Sequence, residues 1–265
     1  MPYYSNLKKA MAHTYNLVGM SEIIKEVNCP HCGAPLKFDK GDIIFTCGYC
    51  GFTGLFDLSK SFTYEHGMFI NQVDVDEVDK IVIDWFAEGF LKPPDLRKKG
   101  KIFEKKLVYV PLWIISVDAT TSYEGFFERL GPTTPKKNQL KKSYDWVIIA
   151  RKNAPFPERE YHLGLASKSP FDVSRLEKYS TVLNSEIDAE EAVDRTIEEV
   201  KSLHQYLALR DVDKILAINT EVKILEKNYL HAPIWFVTYE YKGKLFKMYL
   251  DGAREEVIVG EFPET

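Results

Sequence analysis

All four cysteines of the chain lie in one short stretch, as two Cys-x-x-Cys pairs that fourteen residues separate. They are Cys29, Cys32, Cys47 and Cys50. A turn with two intervening residues lets both thiolates of a pair point to one position, and four thiolates complete a closed tetrahedral zinc site. Gly33 and Gly51 each follow a pair, where a tight turn favours positive φ. The spacing predicts one structural Zn²⁺, which contributes much of the folding free energy of a small ribbon.

Two other uses of these cysteines are weighed against zinc. Two disulfides would fit a secreted protein, but the N-terminus has no apolar signal core, and disulfides are rare in reducing compartments. A redox Cys-x-x-Cys needs no second copy at this spacing. His31 lies inside the first turn and is interpreted as an exposed residue rather than a metal ligand.

The cysteines divide the chain into three regions. Residues 1–26 form an N-terminal extension with a helical pattern near its end, at 21–26. Residues 27–56 form the zinc ribbon, with two short strands around a Lys40-Gly41-Asp42 turn. Residues 65–263 are expected to form one α+β domain.

Within that domain, the same order of elements occurs twice. Asp74-Val-Asp-Glu77 and Asp188-Ala-Glu-Glu191 each resemble a helix cap before a stretch with apolar residues at helical spacing. Each helix is followed by a strand containing Pro-Φ-Trp (Φ, an apolar residue), in segments 107–117 and 229–240. Turns near Gly243 and Gly252 then predict an antiparallel meander.

The sequence therefore predicts a duplicated helix-plus-antiparallel-meander domain, with halves at about 65–130 and 185–263 and an insert at 131–184. Proline donates no ladder hydrogen bond, so Pro111 and Pro233 are expected at strand starts or edges. The tryptophans that follow them are interpreted as core residues.

The insert is less regular. It is expected to hold a basic loop over 132–142, strands at 144–150 and 161–166, and a turn with a short helix over 169–176.

Composition narrows the function classes. The chain has 265 residues, 45% of them apolar, and a net charge of −4, which suits a globular protein rather than a strongly basic nucleic-acid binder. No apolar run is long enough to cross a bilayer, so a cytoplasmic protein is expected. The abundance of Lys, Glu, Ile and Val is typical of a thermophile.

No catalytic motif is found. The sequence has no phosphate-binding loop, no dinucleotide fingerprint and no nucleophile elbow, and the histidines are scattered. His204 and His231 are interpreted as packed residues. The sequence therefore favours a protein that is not an enzyme and assigns it no catalytic residue.

Basic residues cluster in two segments. Residues 92–106 hold seven Lys or Arg against two acids, and residues 136–142 hold four lysines. On one face they would form a patch for phosphate backbones or anionic lipid heads, with Phe45, Tyr49 and Phe52 available to stack on bases. Ordinary solvated charge is the alternative interpretation.

Several motifs together resemble one family. The Cys-Pro-x-Cys-Gly start of the ribbon is followed by the Tyr-Val-Pro-Leu-Trp strand at 109–113 and Ser-Pro-Phe-Asp at 169–172. The chain closes with Pro-Ile-Trp-Phe-Val-Thr-Tyr-Glu-Tyr-Lys-Gly-Lys at 233–244 and Val-Gly-Glu-Phe-Pro at 259–263. This pattern resembles the prokaryotic TFIIB-type zinc-ribbon proteins, often labelled as relatives of primosomal protein N′.

The resemblance covers nearly the whole chain after residue 28. It implies that the four cysteines bind metal, and it implies no catalytic residue. Bacterial members of similar architecture are linked with SPFH-type membrane proteins and phage-shock-like membrane-stress systems, which implies an adaptor role. This chain differs from some of them in having one ribbon instead of two and no membrane segment.

Two functions are therefore expected to compete. The first is a non-enzymatic zinc-ribbon adaptor that binds protein partners, with peripheral contact to a membrane-associated stress system. The second is nucleic-acid or ribonucleoprotein binding through the ribbon and the basic segments. The sequence names no partner and gives no oligomeric state.

Overall fold

The computed structural model describes residues 27–57, 59, 61–89, 91–127, 135–156, 161 and 163–263. The N-terminal extension, including its predicted helical stretch, lies outside the described residues. The described chain is a mixed α/β structure dominated by strands. Its helices are α1 (Val75–Ala87), α2 (Leu96–Lys99) and α3 (Ala189–Asp211). Its strands are β1 (Val27–Asn28), β2 (Pro35–Leu36), β3 (Ile44–Thr46), β4 (Thr53–Leu55), β5 (His66–Met68), β6 (Lys101–Phe126), β7 (Lys136–Ile149), β8 (Ser169–Pro170), β9 (Thr181–Val182), β10 (Lys214–Tyr241), β11 (Lys244–Asp251) and β12 (Glu256–Gly260).

Two long antiparallel strands, β6 and β10, form the centre of the main sheet. They pair along their whole length, from Lys214 opposite Phe126 to Glu240 opposite Lys101. β-Branched and aromatic residues are frequent in both strands, and such residues favour a pleated, half-buried surface.

The strands predicted at 107–117 and 229–240 are the apolar parts of β6 and β10. The segment 97–106, interpreted as a basic linker, forms α2 and the start of β6, and residues 136–142, predicted as a loop, are the first half of β7. Most residues in these parts are exposed to solvent. Their pattern is therefore too polar to indicate a strand until a neighbouring strand is known.

The expected position of the two prolines was wrong, because Pro111 and Pro233 lie inside the central strands. The carbonyl of Pro111 accepts from the N–H of Ala150 at 2.9 Å, and the carbonyl of Pro233 accepts from the N–H of Gly252 at 2.8 Å. Ala150 directly follows β7, and Gly252 directly follows β11. Pro111 on β6 therefore faces the gap between β9 and β7. Pro233 on β10 faces the gap between β5 and β11. The carbonyl of Ala150 bonds to the N–H of Glu186 instead. The missing proline N–H therefore costs little.

Shorter strands complete the sheet on both sides. β11 and β12 follow β10 as the antiparallel meander that the turns predicted. β7 pairs with β6 in antiparallel orientation, and β9 pairs with β6 in parallel orientation. Both of these strands come from the segment 131–184 that was predicted to be an insert, so part of that segment belongs to the main sheet.

The two longer helices begin at the predicted caps. The Asp74 carboxylate accepts from two backbone N–H groups, and the Glu77 carboxylate accepts from the Asp74 N–H, which is a complete capping box. At the start of α3, the Asp188 carboxylate accepts from the N–H groups of Glu190 and Glu191. α1 covers a core cluster that contains Trp235, and α3 covers one that contains Trp113; both tryptophans are fully buried. The helices thus cover two different regions of one sheet face.

Described residues also cover the centre of the opposite face. Apolar side chains from the middle of β6 and β10 pack there against Phe156, Tyr161 and Leu163. The predicted strand at 161–166 is not formed; Leu165–Ser167 is a 3-10 turn, and the predicted short helix is the 3-10 turn Val173–Arg175.

Candidate metal centre

Each Cys-x-x-Cys pair lies in a tight turn closed by a backbone hydrogen bond. The N–H of Gly33 donates to the carbonyl of Cys29 at 2.8 Å, and the N–H of Gly51 donates to that of Cys47 at 2.9 Å. Both glycines have positive φ, 75° and 77°, a conformation in which a side chain would be strained. The glycines therefore allow the turns that align each pair of sulfur atoms.

The two turns bring the four sulfur atoms together. All four lie within 4.8 Å of one another. The Sγ atoms of Cys29 and Cys50 are 3.8 Å apart, and those of Cys32 and Cys47 are 3.7 Å apart. A tetrahedral ion with Zn–S distances of about 2.3 Å requires sulfurs about 3.8 Å apart. The cluster is therefore a possible metal site whose donor atoms and spacing fit a four-coordinate Zn²⁺.

The electrostatics of the cluster also fit a cation. Burial raises the pKa of Cys47, and burial together with the neighbouring thiols raises the pKa of Cys50 to about 12. The thiols of Cys47 and Cys50 therefore resist becoming thiolates by themselves. A metal ion supplies the missing positive charge, so its binding deprotonates the thiols and releases protons.

The ribbon consists of two separate hairpins. β1 pairs with β2 around the first cysteine pair, and β3 pairs with β4 around the second. The chain does turn at Lys40 and Gly41, but the strands on either side of that turn pair elsewhere. The two short strands predicted around that turn are β2 and β3, and each belongs to its own hairpin because each cysteine turn closes one.

Main-chain hydrogen bonds join the ribbon to the segment between β9 and α3. The N–H of Ile44 donates to the Ser185 carbonyl at 3.1 Å, and the N–H of Ser185 donates to the Ile44 carbonyl at 2.9 Å. The Ile44 side chain is 1% exposed and belongs to the core cluster of Trp113 and Tyr229. The ribbon thus shares a core with the sheet beneath α3.

A buried ion-pair network strengthens this junction. Arg151 Nη1 lies 2.7 Å from Asp42 Oδ1, and Arg151 Nε lies 3.3 Å from Glu186 Oε2. The Asp42 side chain is only 2% exposed, and its other oxygen accepts from the Asn184 amide at 2.8 Å. Burying charge is costly unless it is paired and hydrogen-bonded, and here both conditions hold. No sequence motif indicates this network, whose members come from distant parts of the chain.

A chain of hydrogen bonds links the ribbon to β5 and β10. The Leu183 carbonyl can only accept, so His231 donates from Nε2 at 2.8 Å. His231 Nδ1 then accepts from His66 Nε2 at 2.8 Å, and His66 Nδ1 accepts from the Thr53 hydroxyl at 2.7 Å. Both rings are neutral in this arrangement, with their single proton on Nε2.

Burial sets the protonation of these two histidines. It lowers the pKa of His231 to about 4, and burial together with the neighbouring His231 lowers the pKa of His66 well below its usual range. His204 is buried too, between the hydroxyls of Thr121 at 2.7 Å and Tyr144 at 2.9 Å. His204 and His231 therefore occupy packed positions.

The ribbon's outer surface carries aromatic side chains. Tyr49 is 72% exposed. His31 is exposed, as expected, and its ring stacks on Phe52 with 5.7 Å between centroids and 5° between planes. Phe45 is buried, so it is not available to stack on a base, although the sequence grouped it with Tyr49 and Phe52 for that purpose.

The two basic segments do not form one patch in the described chain. One contains α2 and the start of β6, whereas Lys142 of the other lies opposite Ala119, near the far end of β6. The distance along β6 from Lys106 to Ala119 is roughly 40 Å, at about 3.3 Å per residue. Several of these lysines are also paired with carboxylates, such as Lys105 with Asp79 at 2.6 Å.

Comparisons with known proteins leave the site to be interpreted from its geometry. No protein-family model, curated protein or solved structure matches the chain. Among the described residues, no helix combines the length and apolar character needed to cross a membrane.

Proposed function

We propose that this protein is a non-enzymatic zinc-ribbon adaptor that binds protein partners. The main support for the proposal is how the ribbon is attached to the main sheet. Its inner side is fixed to the sheet through Ile44, Asp42 and Thr53, whereas its outer side presents Tyr49 and the stacked pair of His31 and Phe52. Aromatic side chains held at the surface of a rigid module are typical of protein-binding surfaces.

The metal has a structural role in this proposal. Four thiolates fill the coordination sphere of Zn²⁺ and leave no position for a substrate or an activated water. The ribbon's own apolar packing is a small aromatic cluster of Phe38, Phe45, Phe52 and Phe56. The metal and the junction with the sheet stabilise the ribbon together with it. One Zn²⁺ per chain, held by the four cysteines, is expected.

The proposal includes the internal duplication. Aligning Pro111 with Pro233 makes Val110 equivalent to Ala232, and these two residues are direct register partners in the central pair. This pairing is what a local twofold axis between equivalent halves requires. Each long helix also packs over the tryptophan of the other half, α1 over Trp235 and α3 over Trp113. A duplicated platform without a catalytic constellation suits a scaffold.

Nucleic-acid binding receives less support from the geometry, because the basic segments lie apart and Phe45 is buried. The link to a membrane-stress system rests on the family resemblance alone and enters here as the setting in which an adaptor would work.

Native purification tests the adaptor function. Tagged full-length protein is purified from its own lysate over a range of salt concentrations, and co-purifying proteins are identified and quantified. A stoichiometric protein partner is expected, with at least fivefold lower recovery for the Tyr49→Ser variant. Tyr179→Ser, at a tyrosine that is 56% exposed beside Trp235, is the matched control and should retain the partner. A chain that stays alone at micromolar concentration, or one that retains nucleic acid instead, contradicts the proposal.

A further inference from the structure

β7 forms one open edge of the main sheet. Among the described strands it pairs with β6 alone, without a register shift from Lys136 opposite Gly125 to Ile149 opposite Leu112. The free half of β10, on the other side of the sheet, contains two irregularities, each leaving one extra residue on β10. Bulges of this kind obstruct strand addition. The edge of β7 is therefore the more regular of the two.

The hydrogen-bond pattern shows which groups of β7 face outward. The N–H of Ala150 donates to the carbonyl of Pro111, so the unbroken register places even-numbered residues of β7 in hydrogen-bonded pairs with β6. The odd-numbered residues then direct their N–H and C=O groups away from β6. Ile149 already has a further interaction, so the free part of the edge ends at Val147. This row of outward donors and acceptors is a template for one more strand.

The charges along this edge are mixed. Tyr144 bonds to a histidine of α3, so even-numbered side chains of β7 point to the face that α3 covers and odd-numbered ones to the opposite face. Lys141 and Asp145 are exposed on that opposite face, and Lys142 is exposed on the face of α3. None of the three forms an ion pair within the described part of the chain. Lysines on an edge strand discourage pairing, so an added strand must bring acids to meet them.

A second copy of β7 meets this requirement in one register. Outward residues must lie opposite outward residues, so the copies are related by a twofold axis at one residue of the strand. An axis at Lys141 or Lys142 would place identical lysines together, and one at Asp145 would place two carboxylates together. An axis at Tyr144 leaves these charges unmatched. An axis at Ser143 places Lys141 of each copy directly opposite Asp145 of the other, and opposite charges in such pairs stabilise a sheet.

The groove beside the edge accepts the same register. It encloses about 730 Å³ between β7 and α3. Its lining includes Tyr144, Trp146, Glu199, Leu203 and Tyr206. With the axis at Ser143, Leu140 of the other copy lies opposite Trp146, and Lys142 of the other copy lies opposite Tyr144. Tyr206 is 60% exposed, so the copies would cover each other's aromatic side chains there.

Two further acids near the edge fit a copy of this chain. Asp118 on β6 accepts from the Ser143 hydroxyl at 2.6 Å, on the face to which Lys141 points. Glu199 lines the groove, on the face to which Lys142 points. In the proposed register each lysine of the other copy enters one of these acidic surroundings. A strand that carries both signs of charge therefore complements the edge, whereas a strand of one sign meets like charges.

We propose that two copies of this chain pair through residues 139–147 of β7, antiparallel and about a twofold axis at Ser143, to form one sheet continuous across a dimer. Each Lys141 faces Asp145 of the other copy on one side of this sheet. Each Leu140 packs on Trp146 of the other copy on the opposite side. The inference goes beyond the adaptor function and does not depend on it.

Sedimentation of the full chain, from micromolar to submillimolar concentration, tests the dimer. We expect a reversible dimer for the wild type. Lys141→Asp places acids opposite acids and Asp145→Lys places bases opposite bases, so each variant alone should associate at least tenfold more weakly. Lys223→Asp is the matched control, because it makes the same change on the same sheet face but on β10, and its dimer should be unchanged. A wild type that stays monomeric, or variants that all associate equally, overturns the proposal.

Mixing the two charge variants tests the register. The acids of Lys141→Asp lie opposite the bases of Asp145→Lys, so the mixture should form a heterodimer at least tenfold more tightly than either variant forms a homodimer. Native mass spectrometry distinguishes the three species by mass, and circular dichroism checks that both variants are folded. Folded variants that do not associate on mixing overturn the axis at Ser143.

A pair of variants at one position separates main-chain pairing from side-chain effects. The N–H of Ser143 faces outward, so Ser143→Pro removes no bond to β6 but blocks pairing across the axis. Ser143→Ala loses the same hydrogen bond to Asp118 and keeps the N–H. We expect at least tenfold weaker association for Ser143→Pro than for Ser143→Ala, at similar melting temperatures. Equal association of the two variants rejects strand pairing.

The dimer and the adaptor function fail separately. Tyr49→Ser changes the ribbon's outer surface and should leave the dimer unchanged, so loss of a partner protein in that variant does not touch this proposal. If the chain is a monomer and Ser143→Pro instead abolishes recovery of a different protein, the edge belongs to that protein and the second-copy proposal is wrong.

Discussion

At the scale of single residues, Cys47 tests the metal site most cleanly, because it is fully buried and its sulfur lies 3.7 Å from that of Cys32. We predict that Cys47→Ser lowers bound zinc from one ion per chain to below about 0.2, and that it lowers the free energy of unfolding by roughly 3 kcal/mol. Metal content is measured by mass spectrometry and stability by urea unfolding. His31→Ala, a change within the other cysteine turn, should leave the metal content unchanged. Full metal retention by Cys47→Ser would contradict the assignment.

Arg151 gives a second prediction at this scale. Arg151→Met leaves the Asp42 carboxylate buried without its cation, a situation that typically costs about 3 to 5 kcal/mol. The double variant Arg151→Met with Asp42→Asn removes both charges, so it should recover at least about half of that loss. Urea unfolding of the wild type, both single variants and the double variant measures the coupling. Strictly additive losses would show that the pair does not interact.

These residues also mark the limit of sequence reasoning about the site. The four cysteines were recognisable because a metal-binding turn is encoded within a few residues. The carboxylate of Asp42 and the guanidinium of Arg151 meet only after the ribbon has docked on the sheet. No local pattern distinguishes them from other surface charges of the chain.

At the scale of elements, the histidine chain joins β4, β5 and β10 and makes their junction sensitive to pH. Both rings are neutral when folded, because burial lowers the pKa of His231 to about 4 and that of His66 further. Histidines in the unfolded chain take up protons below about pH 6.5. The contribution of the two neutral histidines to the free energy of unfolding is therefore fully present above pH 6.5. It falls between pH 6.5 and 4, by up to about 1.4 kcal/mol per pH unit for each histidine.

Urea unfolding at pH 7.5, 6 and 5 measures this dependence. The double variant His66→Gln with His231→Gln should have a shallower decline than the wild type, whatever its stability at pH 7.5. Thr53→Val removes the hydroxyl at the end of the chain and keeps both titrating groups, so its decline should match the wild type. An unchanged slope in the double variant would assign the pH dependence to other groups.

Elements with a strong local signal were predictable and extended pairing was not. Both helix caps, the apolar faces that follow them and the β10–β11–β12 meander were evident from short patterns. The full length of β6 and β10 was not, because their outer parts expose alternate polar residues. Pro111 was misplaced for a related reason: whether a missing N–H matters depends on where the neighbouring strands end, and the sequence of one strand does not contain that information.

At the scale of the whole molecule, the same sheet face carries two separate cores. The ribbon, α3 and Trp113 share one of them, whereas α1, β11 and Trp235 share the other. The metal centre is joined through Ile44 and Ser185 to the first core. A disturbance at the cysteines should therefore reach one region of the sheet before the other.

Removing the metal tests this division. We predict that a chelator speeds amide exchange at least tenfold at Ile44 and Ser185, whose amides bond across the ribbon–sheet junction. Amides of Met248 and Leu250 on β11, in the core beneath α1, should change less than twofold, and added Zn²⁺ should restore the original rates. Hydrogen exchange followed by NMR on the full chain resolves both groups. Equal acceleration at both sites would mean that metal loss unfolds the molecule as one cooperative unit. Unchanged exchange at Ser185 would mean that the junction holds without the metal, and that the ion stabilises the cysteine turns alone.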